Sequence, residues 1–434
     1  MTRRTGMRFV AAALLLAVGA GAREAPVAAR PGEDLVAYVD PLIGTGGNGH
    51  TFPGATVPFG MVQLSPSNDR NGWNWTSGYH YSDEDIKGFA HTHISGAGLS
   101  ALGDILLMPT RSPSTDAGSA ERPGSGYRSR FSHARELARP GYYRVHLDDP
   151  DVDAELTAAA RAGFHRYTYR GDAARYVVID PTHSVGDHAY RTEVEIVSDH
   201  EIRGWKRAIS QSSGDRSVFF VARFSQPFAS ARLTEDDRPV EGRARTGRAI
   251  KALVQFAPED GDSVEVAVAL SHTGEGGAQA NFDADARGRT FDAALADATR
   301  LWQERLSRIT IEGDARQKRL FYTAAYHAAI APNLVSDVTG AYYLDGKVRQ
   351  SRIPQFSNFS NWDTYRALHP LLTIIDTKKD GEIVASMVSR HAEQGLLLPS
   401  WEAVGHDNRV MIGYSIVSPI ADAVLKGIPG VDPE

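Results

Sequence analysis

The hydrophobic repeat changes period near residue 282, and this change constrains the fold more than any other feature of the chain. Before it, Ser263–Ser271 reads SVEVAVALS, apolar at every second position. Tyr142–Asp149, Ala174–Asp180 and Ser217–Ser225 alternate in the same way and are rich in Val, Tyr and Phe. Alternate side chains of a strand face opposite ways, so such runs form half-buried sheet. Gly, Pro, Asp and Asn separate them, and no helical pattern intervenes. The expected product is a large antiparallel sandwich. After the change, Phe291–Ile309 reads FDAALADATRLWQERLSRI, apolar at helical spacing with charges opposite. Ala315–Leu334 predicts a second helix stopped at Pro332, Lys379–Gly395 a third, and Gly413–Ile428 a fourth with Pro419 inside it. The last third is expected to be all-α, and Pro123–Tyr143 to be loop.

The 434 residues exceed what one core usually holds, so more than one domain is expected. Net charge is −6 with no basic stripe, which argues against a nucleic-acid partner. Residues 1–22 read as a secretory signal. Arg3, Arg4 and Arg8 precede an apolar run, Phe9–Ala22, that ends in small residues. No other segment is apolar enough to span a bilayer, so a secreted or periplasmic protein is expected. The chain contains no cysteine, which excludes disulfide and thiol chemistry. Any metal must then be held by oxygen and nitrogen ligands.

Three stretches carry candidate chemistry. Gly72–Gly98 reads GWNWTSGYHYSDEDIKGFAHTHISGAG. Trp73, Trp75, Tyr79 and Tyr81 suit the C–H faces of a sugar, and Asn74, His80, Asp83, His91 and His93 could serve its hydroxyls. Equally, the rings could pack in a core and the imidazoles could satisfy backbone groups. His91 and His93, at i and i+2, could also share a metal, but no third ligand is evident. Gly-rich Leu42–Gly54 lacks the Lys–Ser/Thr pair of a phosphate loop and is read as a tight loop placing His50 and Phe52. In Ser357–Ile374, Trp362 and Asp363 sit at a helix start with Arg366 one turn on; Asp363 could cap the helix or accept from sugar hydroxyls. In Leu396–Tyr414, Trp401 and Glu402 follow a Pro-containing loop and precede His406, Asp407 and Arg409. These suit a pocket rim or a solvated loop.

Five of these and neighbouring stretches occur in an order that closely resembles glycoside hydrolase family 92, the calcium-dependent inverting exo-α-mannosidases. They are VDPLIGTGGNGHTFPGATVPFGMVQLSP, GYHYSDEDIKGFAHTHISGAG, AELTAAARAGFHRYTY, NWDTYRALHPLLTI and MIGYSIVSPIADAVLKGI. The resemblance implies a β-sandwich over residues 31–281, a helical linker over 282–314 and the first part of an (α/α)6 barrel over 315–434. It implies removal of terminal α-linked mannose from mannose-containing glycans, with calcium near the sugar. Inversion needs an acid and a base about 6.5–9.5 Å apart. Trp73, His91, His93, Trp362, Asp363, Arg366, Trp401 and Glu402 become the expected substrate-binding residues. The family's Glu-containing acid motif, its later Asp motif and its calcium-ligand segment are not found here. An incomplete barrel is therefore expected, with catalytic and metal-binding residues lying downstream and no hydrolysis by this chain alone. The alternatives are a non-catalytic carbohydrate-binding protein or an inactive fragment. An interrupted barrel should also leave Ile416, Val417, Ile420, Val424, Leu425 and Ile428 without partners.

Overall fold

The computed structural model describes residues 32–431 apart from 69, 71, 123, 259, 260, 393, 394 and 396. The signal-peptide expectation for residues 1–22 lies outside the described residues. Residues 34 onward form one compact unit.

Among the described residues, two large antiparallel sheets occupy the first part. One has eight strands, in spatial order Ala55–Thr56, Gln63–Ser67, Gly88–Ala90, Leu106–Thr110, Arg175–Asp180, Ile250–Phe256, Ser230–Glu235 and Arg238–Val240. The other has ten: Ala244–Gly247, His188–Ile196, Glu201–Ser210, Gly214–Phe224, Ser263–Ser271, Ala162–Tyr169, Val152–Ala158, Tyr142–Leu147, Ser129–Arg139 and Asp85–Ile86. Their inner faces share one core. Leu64, Phe89, Leu107, Val177 and Val254 of the first sheet pack with Val145, Leu156, Tyr167, Phe220 and Val268 of the second. Register follows the apolar pattern: Val177 lies opposite Val254, and Val266 opposite His165.

The second face of the ten-stranded sheet is covered as well. Helix α1 (Glu275–Asp285) and helix α2 (Phe291–Leu306) place Ala278, Phe282, Phe291 and Ala294 against Phe164, Val221 and Ala269. Helix α1 thus straddles the change of period. Thr290 starts α2 by accepting from the Ala293 amide at 3.2 Å. Helix α3 (Ala315–His327) opens with a reciprocal capping box between Asp314 and Gln317 and ends before Pro332. Helices α4 (Asn361–Thr364), α5 (Leu368–Ile375), α6 (Thr377–Ala392) and α7 (Val417–Leu425) follow. Pro419 lies in the first turn of α7, where a missing amide costs nothing.

A second core joins the two parts. Trp302, Leu306, Tyr322, Tyr326, Phe356, Leu372, Ile383 and Met387 pack with Phe52 and Phe59 from the β-rich part. The Trp302 indole donates to the Thr56 carbonyl at 2.7 Å.

Three expectations are corrected. Ser129–Arg139 is a strand, not a loop; its many charged residues reflect a largely solvated strand near the sheet edge. The last third is not all-α. It holds a hairpin, Ala341–Leu344 with Lys347–Gln350, and short strands that pair Phe359–Ser360 with Trp401–Ala403. Finally, Ile416 and Ile428 are buried, against Leu372 and Met387 and against Val384 respectively. Only Val417 and Leu425 of that set stand exposed.

Candidate functional site

A cleft of about 270 Å³ opens where the β-rich part meets the helical part. One wall is Ile94–Ala97, from the loop after Gly88–Ala90. The other comprises Ala331–Asn333, Asn358–Ser360, Asp363, Thr364, His369 and Trp401.

Asn358 holds the second wall together. Its φ is +60°, a left-handed conformation that Asn tolerates better than most residues. Its side-chain amide donates to Asn333 Oδ1 at 2.8 Å, and its Oδ1 accepts from the Val404 amide at 3.1 Å. Asn361 then donates to the Pro399 carbonyl at 2.9 Å and anchors the start of α4.

Asp363 is not the N-cap of α4; Ser360 occupies that position. The Ser360 hydroxyl donates to Asp363 Oδ2, while Oδ1 accepts no hydrogen bond from the described residues. An exposed carboxylate oxygen is thereby held at the cleft with a free acceptor. Trp401 is 5% exposed and packs with Ile94, Ala101, Leu102 and Val404, so its ring fastens one wall to the other.

The remaining expected site residues separate. Trp73 stands 61% exposed, its indole edge-on to His50 with centroids 4.7 Å apart. It lies against Gly98, where an added Cβ would fall 2.2 Å from a ring carbon. Because Gly96 N–H donates to the His50 carbonyl at 2.7 Å, this indole stands beside the first wall of the cleft. Trp362 and Arg366 are near the cleft in sequence but do not line it; the guanidinium lies 5.4 Å from the Trp362 ring centre.

His91, His93 and Glu402 are interior. His91 Nδ1 donates to the Ile105 carbonyl at 2.5 Å, which leaves Nε2 to accept from His165 Nε2 at 3.0 Å. His165 Nδ1 in turn accepts from the Tyr167 hydroxyl at 2.7 Å. His93 donates from Nδ1 to the Gln63 carbonyl at 2.9 Å and pairs with Ser67 Oγ at 3.1 Å. Burial pushes the pKa of both His91 and His93 down to about 4, so the rings are neutral at pH 7. These imidazoles satisfy the sheet interior and do not line the cleft. Glu402 is 1% exposed and forms a buried two-pronged pair with Arg390, at 3.2 and 3.0 Å. It too is out of the cleft.

Sequence reasoning passed over Asn333, Asn358, Ser360 and His369. For Asn358, Ser360 and His369 the signal lies in SNFSNWDTYRALHP, whose dense polar residues precede an apolar helix; Asn333 carries no such signal.

Among the described lining residues, Asp363 is the one carboxylate. It can accept hydrogen bonds from hydroxyl groups, whereas acid–base cleavage of a glycosidic bond needs a second carboxyl group across the site. Among the described residues, no three His, Asp or Glu side chains gather where a metal ion could sit.

Known proteins give the context. Residues 38–271 match the family model for the glycosyl hydrolase family 92 N-terminal domain, and residues 277–434 match the model for its catalytic domain. A family 92 α-mannosidase from Bacteroides thetaiotaomicron, solved with mannoimidazole, superposes with a TM-score of 0.88 at 34% identity. That match covers 92% of this chain and 54% of the other. An inverting family 92 mannosidase from the same organism gives a TM-score of 0.80 at 25% identity, with the same coverage. A protein of Arthroderma benhamiae described as an uncharacterized secreted glycosidase is 26% identical over 373 residues, 78% of this chain and 46% of its own length. The chain therefore spans about half the length of the relatives it matches.

Proposed function

Because the chain belongs to glycosyl hydrolase family 92, we propose that its cleft receives the terminal sugar of an α-linked mannoside. In this reading Trp73 is a flat apolar platform for one sugar face, and Asp363 Oδ1 accepts from its hydroxyls. The helices from α3 onward supply the opening part of an (α/α)6 barrel, and the chain contributes a sugar-holding wall of an inverting mannosidase site. Export follows from the Arg-flanked apolar start of the sequence. It agrees with the description of the Arthroderma relative as secreted. No helix among the described residues is long and apolar enough to cross a membrane.

The reading rests on an open indole beside a cleft that holds one free carboxylate oxygen. Titration of the full chain with methyl α-mannoside, followed by ligand-detected NMR, tests it. Binding should exceed that of methyl α-glucoside. Asp363→Asn should weaken it at least tenfold, since a hydrogen bond to a charged group contributes about 1.5–3 kcal/mol. Equal response to both sugars, or none, defeats the proposal.

A second reading, a carbohydrate-binding protein without hydrolytic power, is favoured by the single carboxylate of the cleft. Release of p-nitrophenol from its α-mannoside tests the second reading. Turnover excludes it, whereas binding without turnover is expected of this chain alone under both readings, because the cleft holds one carboxylate.

A further inference from the structure

His369 is the second residue of α5 and is 2% exposed, yet it lines the cleft. Its Nδ1 is buried and makes no hydrogen bond. Nδ1 lies 3.5 Å from Oδ1 of Asp380, on α6, which is 0% exposed. Both carboxylate oxygens of Asp380 are likewise buried with no hydrogen-bond partner. Two unpartnered polar groups in a protein interior are costly apart, and an N–H facing a carboxylate settles both at once. A closure of a few tenths of an ångström would make that bond.

We infer that Asp380 fixes His369 as the Nδ1–H tautomer and that Nε2 thereby presents a lone pair to the cleft, where it accepts from a sugar hydroxyl. Among the described residues Nε2 has no hydrogen-bond partner, and unlike Nδ1 it is not sealed from solvent. An imidazole that carries its one proton on Nδ1 has only an acceptor left to offer at Nε2. Asp363 Oδ1 offers a second acceptor on the same cleft. Two fixed acceptors select a ligand that donates from two hydroxyls. His369 is then a binding residue and Asp380 a positioning residue, the arrangement by which a buried carboxylate sets a ring's tautomer elsewhere. The assignment of a sugar to the cleft rests on the mannoside reading above; the tautomer does not.

The test uses the full chain labelled with ¹⁵N-histidine. Long-range ¹H–¹⁵N spectra should show His369 protonated at Nδ1 and bare at Nε2, with its signals identified by their loss in His369→Gln. Asp380→Asn should abolish the tautomer preference. Methyl α-mannoside should shift the Nε2 resonance. Side-chain geometry supplies a further contrast: the Gln amide reaches the Nε2 position and the Asn amide the Nδ1 position. His369→Gln should therefore retain mannoside affinity within about threefold, whereas His369→Asn should lose about tenfold. A proton on Nε2 in the wild-type protein, or equal affinity of the two variants, overturns the inference. An Nδ1–H tautomer lost in Asp380→Asn, in a chain that binds no mannoside, upholds the pairing and overturns the sugar reading instead.

Discussion

At the scale of single residues, exposure separates the aromatic and acidic side chains that the sequence brings together. Trp73 and Trp75 are neighbours in one short turn, yet they do different work. Trp75 donates its indole N–H to Asp83 at 2.7 Å and closes a local turn, while Trp73 stays open beside the cleft. Trp401 and Glu402 are adjacent on one strand, so their side chains point to opposite faces. Trp401 faces the cleft wall and Glu402 faces Arg390. Arg390 donates as well to Gln355 Oε1 at 2.6 Å and to the Ser386 carbonyl at 2.7 Å, a network sealed from solvent. Removing the carboxylate would leave a buried guanidinium without its counter-charge. Glu402→Ala should cost about 3–5 kcal/mol in urea unfolding. A sugar ligand at that position would instead give a variant of unchanged stability and weakened mannoside binding.

At the scale of elements, what was legible was what repeats. Ser263–Ser271 and Phe291–Leu306 declare strand and helix because many residues report the same face. The hairpin at Ala341–Gln350 was missed although Asp345-Gly346 marks it. Both residues have positive φ, as a two-residue hairpin turn of this kind requires. Ser129–Arg139 was missed for a different reason: a strand with little buried face lacks the alternation that identifies one. Site residues were harder still. Asp363 and Trp73 could be singled out by type, but His369 acquires its role only through Asp380, which folding brings to it from the next helix. Sequence could not separate a cleft imidazole from a core one either, because His91, His93 and His165 become neutral core only when the sheet closes over them. Their burial has a consequence for pH. Burial holds His91, His93 and His272 down to about 4, and holds His165 well below its ordinary value, against about 6.5 in the unfolded chain. As pH falls from about 6.5 towards 4, the unfolded state takes up protons that the native state refuses, so stability declines across that window. Melting temperature measured from pH 7.5 to 4.5 should fall steadily below pH 6.5. In His91→Gln the slope should be smaller, and an unchanged slope would show that these rings are not the cause.

At the scale of the whole molecule, the question is whether the sheets and the helices are separable. The interrupted barrel expected from the sequence implies a sandwich that survives alone on its own core and a helical end that does not. The packing argues otherwise. Phe52 and Phe59 are buried among helical residues, the Phe59 amide donates to the Ala329 carbonyl at 2.8 Å, and α1 and α2 cover a sheet face. Loss of the chain beyond a cut just after Phe282 would uncover the outer face of the ten-stranded sheet, and loss beyond a cut near Asp314 would strip Trp302 of Tyr326. The weakly held segment lies later. Arg409, Met411, Ile412 and Tyr414 are exposed, with Ile412 at 84%, and they precede α7 without belonging to any sheet or helix. Exposed segments outside regular structure are the preferred sites of proteolysis. Trypsin should therefore nick first after Arg409. The two pieces should still elute together in size-exclusion chromatography, because Ile416 and Ile428 beyond the nick are buried at 0% and 5% exposure. Each such side chain contributes about 1.5–3 kcal/mol by staying out of water. Mass spectrometry of the early digest decides the matter. A nick at Arg409 with both pieces retained supports one cooperative body, whereas a lasting fragment ending between Phe282 and Asp314 would restore the separable sandwich.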